Sequence, residues 1–196
     1  MARGKHIKAD FLNDTKGHKL TVVQDSGLFR HLTVKRPESG VYGYNITTWP
    51  GYLCISGDMG CYVFARLDDM FEFFRSDKLE INAGYWGEKL QAVAKTGRRS
   101  GDAMEFNQVA TANSVLECWK DDKKEYRRIK NELSRLLHND CEDDRAAMEI
   151  MQGIDGLHDA WDYLVYDYTL HFQWCLYAIV YAIQQYDKAK STAPSA

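Results

Sequence analysis

The chain has 196 residues, of which 45% are hydrophobic, 27% are charged and 13% are aromatic, and its formal net charge is −3. This length suffices for one compact domain or for two small lobes that share a core. Three prolines and 14 glycines exclude a collagen-like or low-complexity chain, and the aromatic and aliphatic content excludes global disorder.

The first third of the chain has the pattern of an antiparallel β-meander. Stretches rich in β-branched and aromatic residues alternate with short connectors that contain glycine or proline, and they cover residues 19–24, 29–35, 42–48, 52–56 and 61–66. Connectors this short join antiparallel neighbours, because a parallel pair needs a long crossover. Tyr42, Tyr44 and Ile46 alternate with small or polar residues, which predicts a sheet with one buried and one partly wet face.

After Leu67 the periodicity becomes helical. Asp68 or Asp69 can cap a short helix that runs through Phe74, and residues 84–94 form a second amphipathic piece. Residues 95–101 are basic and contain glycine, which is typical of a flexible linker. The remaining pattern predicts helices at 103–138, 142–152 and 158–189, of which the last is apolar on nearly every side, as expected of a helix packed on two sides.

These elements predict an α+β fold, in which an N-terminal antiparallel β-meander of about five strands is followed by a C-terminal helical bundle packed on it. We expect residues 1–94 to form the meander with short helices and residues 102–190 to form the helical region, in one continuous compact domain with a disordered tail at 191–196. Between residues 115 and 136, apolar residues recur about every 3.5 positions and form a stripe that we call the 115–136 seam. Such a stripe is typical of a core-facing helix or of a contact between two copies of the chain. The C-terminal helix is the other candidate interface for a homo-oligomer.

Charge is distributed unevenly along the chain. Residues 1–100 contain 15 basic and 11 acidic side chains, whereas residues 101–196 contain 10 basic and 17 acidic ones. Residues 140–187 alone contain ten acidic residues and one base, Arg145. Such asymmetry indicates association with a partner, and its simpler interpretation is a solvated acidic surface.

The acidic part of the chain also contains aromatic residues. An acidic surface with exposed aromatic rings can occupy a basic groove on a partner protein, because charge complementarity guides the encounter and aromatic anchors supply the binding energy. We define the predicted partner-binding set, the acidic–aromatic region, as Asp143, Asp144, Asp155, Asp159, Trp161, Asp162 and Tyr166.

Basic residues give an alternative interpretation, a nucleic-acid-binding module that uses residues 95–99 and 120–130. Lysines and arginines clustered on one helix can follow a phosphate backbone. Acidic residues are interleaved with them, which favours an ordinary solvated helix face. The candidates are Arg98, Arg99, Lys123, Lys124, Arg127 and Arg128.

Motifs for catalysis are absent from the sequence. It has no nucleophile elbow, no phosphate-binding loop and no dinucleotide fingerprint, and none of the five cysteines forms a Cys-x-x-Cys pair. Cys175 and His171 lie one helical turn apart in the most apolar part of the chain, where a thiol stays protonated. We therefore expect no enzymatic activity, no catalytic residue and no cofactor.

Two weaker patterns remain as candidate ligand sites. His158 lies near Asp155, Asp159 and Asp162, which gives a third interpretation, a divalent cation site in a small metal-dependent hydrolase. Acidic residues are favoured at a helix start in any case, which weakens this interpretation. The loop at residues 57–60 places Asp58 between two glycines, which could approach a phosphate or a cation, or simply form a hairpin turn. We predict no metal site.

Localisation follows from the apolar stretches and the cysteines. The basic start of the chain is not followed by the apolar run of a secretory signal, and the stretch at 172–183 is shorter than the roughly 20 residues that span a membrane. The odd number of dispersed cysteines indicates reduced thiols. These features predict a cytoplasmic protein without a membrane partner.

Four strings of the sequence carry a family resemblance. They are TWPG at 48–51, GDMGCYVFARLDDMFEFFR at 57–75, INAGYW at 81–86 and the stretch at 171–187. Together they resemble a family of small proteins encoded by bacteriophages and prophages. The resemblance implies a bacterial host cell and a non-enzymatic accessory role: binding and modulating or inhibiting a host or antiviral-defence protein, in an anti-defence or anti-CRISPR-like manner. It implies no catalytic residue.

Overall fold

The computed structural model describes residues 3–96, 99–100, 102–134 and 143–192. The chain divides into two compact units. The sheet unit consists of residues 1–103 and 168–196, and the helical unit of residues 104–167. The predicted tail lies outside the described residues from position 193 onward, as do the end of the predicted helix 103–138 and the end of the 115–136 seam.

The sheet unit contains a six-stranded antiparallel sheet in which every strand pairs with its neighbour in sequence. Its strands are β1 (Lys19–Ser26), β2 (Phe29–Arg36), β3 (Ser39–Trp49), β4 (Tyr52–Gly57), β5 (Gly60–Ala65) and β6 (Leu90–Val93). The predicted α+β class with an N-terminal antiparallel meander is confirmed. The sixth strand lies in the stretch predicted as an amphipathic helix, because Leu90 and Val93 have helical spacing but pair with β5.

Two further strand pairs are short. Strands β7 (Lys95–Thr96) and β8 (Arg99–Ser100) pair in the predicted linker, and β9 (Met104–Phe106) pairs with β10 (Tyr166–Tyr168). The helices, in chain order, are α1 (Arg3–Asp14), α2 (Met70–Phe74), α3 (Ala83–Gly87), α4 (Gln108–Glu117), α5 (Lys123–Glu132), α6 (Asp144–Gln152) and α7 (Leu170–Thr192). Helix α1 has no counterpart among the predicted elements.

Two of the predicted long helices have other bounds in the structure, and a capping side chain lies at each new helix start. The middle helix ends at Glu117, and a new helix begins after Asp122, whose carboxylate accepts hydrogen bonds from the amides of Lys124 and Glu125. The last helix begins at Leu170 instead of residue 158, and Thr169 Oγ1 accepts a hydrogen bond from the Phe172 amide at its start. Aspartate and threonine offer the backbone these local bonds, which end one helix and begin another.

Helix α7 fills the core of the sheet unit. Its buried residues pack on the inner face of the sheet, formed by Leu32, Val34, Tyr44, Ile46, Leu53, Ile55, Tyr62 and Phe64. On another side it contacts α1, where the Phe11 ring meets Trp174 edge-on at 5.0 Å between ring centroids. A helix that is apolar on nearly every side fits this position, because it has apolar neighbours on more than one side.

An ion pair between Arg30 and Asp69 connects the sheet to the start of α2. Arg30 of β2 donates from Nη1 and Nη2 to the two carboxylate oxygens of Asp69, both at 2.8 Å, and the two side chains are only 10% and 20% exposed. The guanidinium carbon lies 4.5 Å from the ring centroid of Phe71 and 5.9 Å from that of Tyr186. Tyr186 in turn donates to Asp25 at 2.9 Å. We call Asp25, Arg30, Asp69, Phe71 and Tyr186 the Arg30 cluster.

We expect the sheet unit to lose stability in acid. Partial burial raises the pKa of Asp69, but hydrogen bonds from Arg30 and the Phe71 amide lower it more, so the net pKa lies below 3.8. The pKa of Asp25 is lowered mainly by a hydrogen bond from Lys190. A carboxylate with a lowered pKa stabilises the fold fully above its unfolded value, and this stabilisation is lost as pH falls through the folded value. Thermal melts between about pH 6 and pH 2 should show a fall in Tm that is smaller in Asp69→Asn than in the unmodified protein. An equal fall in both proteins would show that the ionised Asp69 carboxylate does not stabilise the fold.

Candidate functional site

The residues of the acidic–aromatic region all lie in the helical unit. The central part of this region, residues 151–160, is anchored by a buried residue at every third position: Met151, Ile154, Leu157 and Ala160. Between these anchors the chain exposes Asp155, His158 and Asp159, and just after them Trp161 and Asp162. The three-residue spacing therefore turns the apolar side chains inward and leaves the carboxylates in solvent.

Trp161 lies on a 3₁₀ turn at Ala160–Tyr163, and its side chain is 68% exposed, the highest value among the large hydrophobic residues that the structure describes. With three residues per turn, Ala160 and Tyr163 share one side and pack on the helical core. The turn is held by the Asp162 amide, which donates to the Asp159 carbonyl at 2.9 Å. The indole ring is therefore displayed by a turn that is itself fixed.

Asp143 and Asp144 lie at the start of α6 and have structural partners. The Asp143 carboxylate caps the helix by accepting a hydrogen bond from the Ala146 amide at 2.9 Å. Asp144 accepts a hydrogen bond from the hydroxyl of Tyr166 at 2.6 Å, which joins two predicted residues that are 22 positions apart. This bond raises the pKa of Tyr166 above its ordinary value, because it stabilises the protonated hydroxyl next to a carboxylate.

The basic candidates differ in whether their side chains are available to bind a phosphate group. Arg128 donates to Glu125 and Glu132, each at 2.8 Å, and to the backbone carbonyl of Asp155 at 2.9 Å. Its guanidinium is therefore occupied within the helical unit. Lys123, Lys124 and Arg127 are exposed on α5. Arg98 lies outside the described residues, and so does the side chain of Arg99.

The weaker ligand patterns are not grouped into a metal-binding cluster in the part of the chain that the structure describes. No three histidine, cysteine, aspartate or glutamate side chains there are grouped closely enough to hold a metal ion, and this includes His158 and its acidic neighbours. In the loop at 57–60, Asp58 accepts a hydrogen bond from the Tyr42 amide at 3.1 Å. A Cβ on Gly57 would lie 2.3 Å from the Gly43 carbonyl oxygen, so the loop packs tightly against β3.

Two features of the sheet unit have no counterpart in the sequence-based candidates. A cavity of about 500 Å³ lies between the start of β1 and the end of α7, lined among others by His18, Tyr181 and Lys188, and both ring nitrogens of His18 are buried without a hydrogen-bond partner. The second feature is a pair of thiols, Cys54 and Cys61, on neighbouring strands. No motif marks the cavity, whereas the thiol pair could have been found from the hairpin register.

Comparison with known proteins assigns no family: no family model, no curated protein and no solved structure matches the chain. None of the described helices is long and apolar enough to cross a membrane.

Proposed function

We propose that the protein is a non-enzymatic accessory protein that binds a partner protein through the acidic–aromatic region. The observation that carries this proposal is Trp161, an indole ring 68% exposed on a fixed turn and flanked in sequence by Asp159 and Asp162. Tryptophan is among the residues most enriched at the energetic centres of protein interfaces, because it buries a large rigid surface at little entropic cost.

The charge around this ring supports a basic surface on the partner. Residues 143–167 contain seven acidic side chains and one basic one, Arg145. A field of one sign accelerates the encounter with an oppositely charged surface and excludes acidic competitors. The expected contact is therefore an apolar anchor at Trp161 surrounded by charge pairs, of which those at the rim set the rate more than the affinity.

The resemblance of the four strings to phage- and prophage-encoded proteins supports a bacterial host or antiviral-defence protein as the partner, in the bacterial cytoplasm. In this interpretation the acidic–aromatic region covers a groove that the partner uses for its own anionic ligand, and the partner is modulated or inhibited by occlusion. No catalytic step by this chain is required.

The test compares three variants in capture from a bacterial lysate, followed by affinity measurement with the captured protein. Trp161→Ala should raise Kd by roughly 30-fold, as expected for an anchor worth about 2 kcal/mol. Val109→Ala is the matched control, since Val109 is an exposed apolar residue of the same unit outside the acidic–aromatic region. Binding should weaken with added salt, because rim charges are screened.

The double variant Lys124→Glu/Arg127→Glu separates the proposal from the nucleic-acid alternative. It should leave capture of the protein partner unchanged, because both side chains lie on α5 outside the acidic–aromatic region. If the wild type binds DNA or RNA in a gel-shift assay and this variant does not, while Trp161→Ala binds as before, the alternative is correct and the proposed function is wrong. Circular dichroism melts establish that every variant is folded.

A further inference from the structure

Two thiols lie side by side near the middle of the sheet. Sγ of Cys54 in β4 and Sγ of Cys61 in β5 are 3.9 Å apart, and both cysteines are free and partly buried. Their neighbours along each strand point into the core, namely Leu53 and Ile55 in β4 and Tyr62 and Phe64 in β5. Because side chains alternate along a strand, both thiols lie on the face of the sheet opposite the core.

The hydrogen-bond ladder holds this arrangement. Cys54 is registered opposite Val63, and Ser56 is registered opposite Cys61, so the cysteines are diagonal neighbours across the pair of strands. Strand β4 is also paired with β3, and β5 with β6, so neither strand of the hairpin can slip without breaking a second ladder. The distance between the sulfurs is thus set by the sheet.

We propose that Cys54 and Cys61 are a site of reversible oxidation, where an intramolecular disulfide forms when a low-molecular-weight disulfide such as oxidised glutathione accepts the electrons. A disulfide needs a sulfur–sulfur distance of about 2.05 Å, so starting from 3.9 Å each sulfur moves by about 1 Å. Because diagonal neighbours lie farther apart than the usual Cα separation of a disulfide, the two strands must also draw together locally. The inference does not depend on the proposed partner-binding function.

The chemistry proceeds by two exchanges. The Cys61 thiolate attacks one sulfur of oxidised glutathione, and one glutathione thiol leaves. Cys54 then loses its proton to solvent and attacks Sγ of Cys61 in the mixed disulfide, which expels the second glutathione thiol. In total the protein gives up two protons and two electrons, and the glutathione disulfide is reduced to two thiols.

The environment of Cys54 supports this order of attack. Burial, and next the neighbouring Cys61, raise the pKa of Cys54, so this thiol must pass its proton to solvent before it can attack the mixed disulfide. The second exchange should therefore become faster as pH rises.

Neither of the other described cysteines has a sulfur atom within hydrogen-bonding distance. Cys175 is buried in α7 and donates to the carbonyl of Met59 at 3.7 Å. Cys118 is exposed and lies 3.6 Å from the hydroxyl of Tyr163. Among the described residues, Cys54 and Cys61 are therefore the pair whose sulfurs are in direct contact. Cys141 lies outside the described residues.

The experiment uses the full chain with Cys118→Ser and Cys141→Ser, which prevents disulfides between copies. The protein is incubated with excess oxidised glutathione, blocked with N-ethylmaleimide in denaturant and cut by an endoproteinase that cleaves before aspartate. Cleavage before Asp58 separates Cys54 from Cys61. We expect the two peptides to remain linked, two hydrogens lighter than their sum, and to separate after reduction.

Single variants and thermal melts provide the matched readouts. In the Cys54→Ser variant, oxidation should stop at a glutathione adduct on Cys61, because the thiol that would displace glutathione is missing. In the Cys118→Ser/Cys141→Ser chain, which retains Cys54 and Cys61, oxidation should raise Tm by roughly 5–10 °C, since the bridge closes a loop of about eight residues in the unfolded chain. The Cys54→Ser variant should show no such rise.

Three outcomes would overturn the proposal. In the first, N-ethylmaleimide still blocks both cysteines after the folded protein has been oxidised. In the second, the chain that retains Cys54 and Cys61 carries glutathione adducts but gives no linked peptide, and in the third the linked peptide forms only when oxidation follows denaturation.

Discussion

Replacing Trp174 by alanine should lower Tm by roughly 6–20 °C, because truncating a buried tryptophan costs about 3–5 kcal/mol and each kcal/mol shifts Tm by about 2–4 °C at this size. The Trp174 side chain is 1% exposed. Its ring contacts Phe11 of α1 edge-on and Tyr44 of β3 edge-on at 5.7 Å between centroids. The indole Nε1 also donates to Asp14 at 3.1 Å, so one side chain joins α1, the sheet and α7.

Trp161→Ala is the control, because the same atoms are removed from a side chain that is 68% exposed. It should change Tm by no more than about 2 °C, as surface substitutions generally do. Trp174→Phe keeps an aromatic ring and loses only the outer part of the indole and its hydrogen bond, so its Tm should lie between those of the parent and Trp174→Ala. Equal Tm values for the two alanine variants would show that the core is not arranged as described.

The second large effect is expected at Asp69. Asp69→Ala should destabilise the protein by about 3–5 kcal/mol, the usual cost of leaving one member of a buried ion pair without its partner. The unpaired group would be Arg30, whose side chain is 10% exposed and whose Nε already lacks a hydrogen-bond partner. The same substitution removes the cap of α2, since Asp69 also accepts a hydrogen bond from the Phe71 amide at 2.9 Å.

Asp187→Ala is the matched control for charge alone. It breaks the ion pair with Arg75, whose members are 39% and 42% exposed, and such surface pairs contribute about 1 kcal/mol or less. Urea denaturation measures both free energies of unfolding. The double variant Arg30→Met/Asp69→Asn should be more stable than Asp69→Ala, because removing both charges leaves none buried and unpaired. If Asp187→Ala cost as much as Asp69→Ala, burial would not explain the effect.

The strands were the most predictable part of the fold. Alternation at Tyr42, Tyr44 and Ile46, and short connectors with glycine or proline, are local signals, and the meander they predicted is present. Strand β6 could not be predicted, because residues 90–93 are extended only through pairing with β5. This pairing is a tertiary contact, which a short stretch of sequence does not encode. A sheet edge can thus convert an amphipathic segment into a strand.

Helix boundaries were less predictable, because single side chains decide them. The interruption at Asp122 and the start after Thr169 depend on hydrogen bonds to backbone amides. Aspartate and threonine make such bonds at helix starts but also occur on helix surfaces, so hydrophobic periodicity ran through both positions. The left-handed backbone of Asp159, with φ of 51°, is a similar local break.

Of the candidate site, the residue types were predictable but their grouping was not. The sequence indicated the acidic residues and Trp161, whereas the hydrogen bond between Tyr166 and Asp144 depends on how the helical unit folds. The three-residue spacing of Met151, Ile154 and Leu157 is the sequence signal that shows which side chains face outward. The thiol pair follows from the hairpin register once Gly57 is set opposite Gly60.

The division of the sheet unit into two chain segments has a consequence during translation. All six strands leave the ribosome before α7, and synthesis of the intervening helical unit takes roughly 3–13 s at about 5–20 residues per second. Throughout that interval the inner face, including Leu32, Ile46 and Phe64, has no helix α7 to cover it. A nascent sheet with an uncovered apolar face is a substrate for chaperones and for aggregation. The helical unit, being one continuous segment, can complete its own core first.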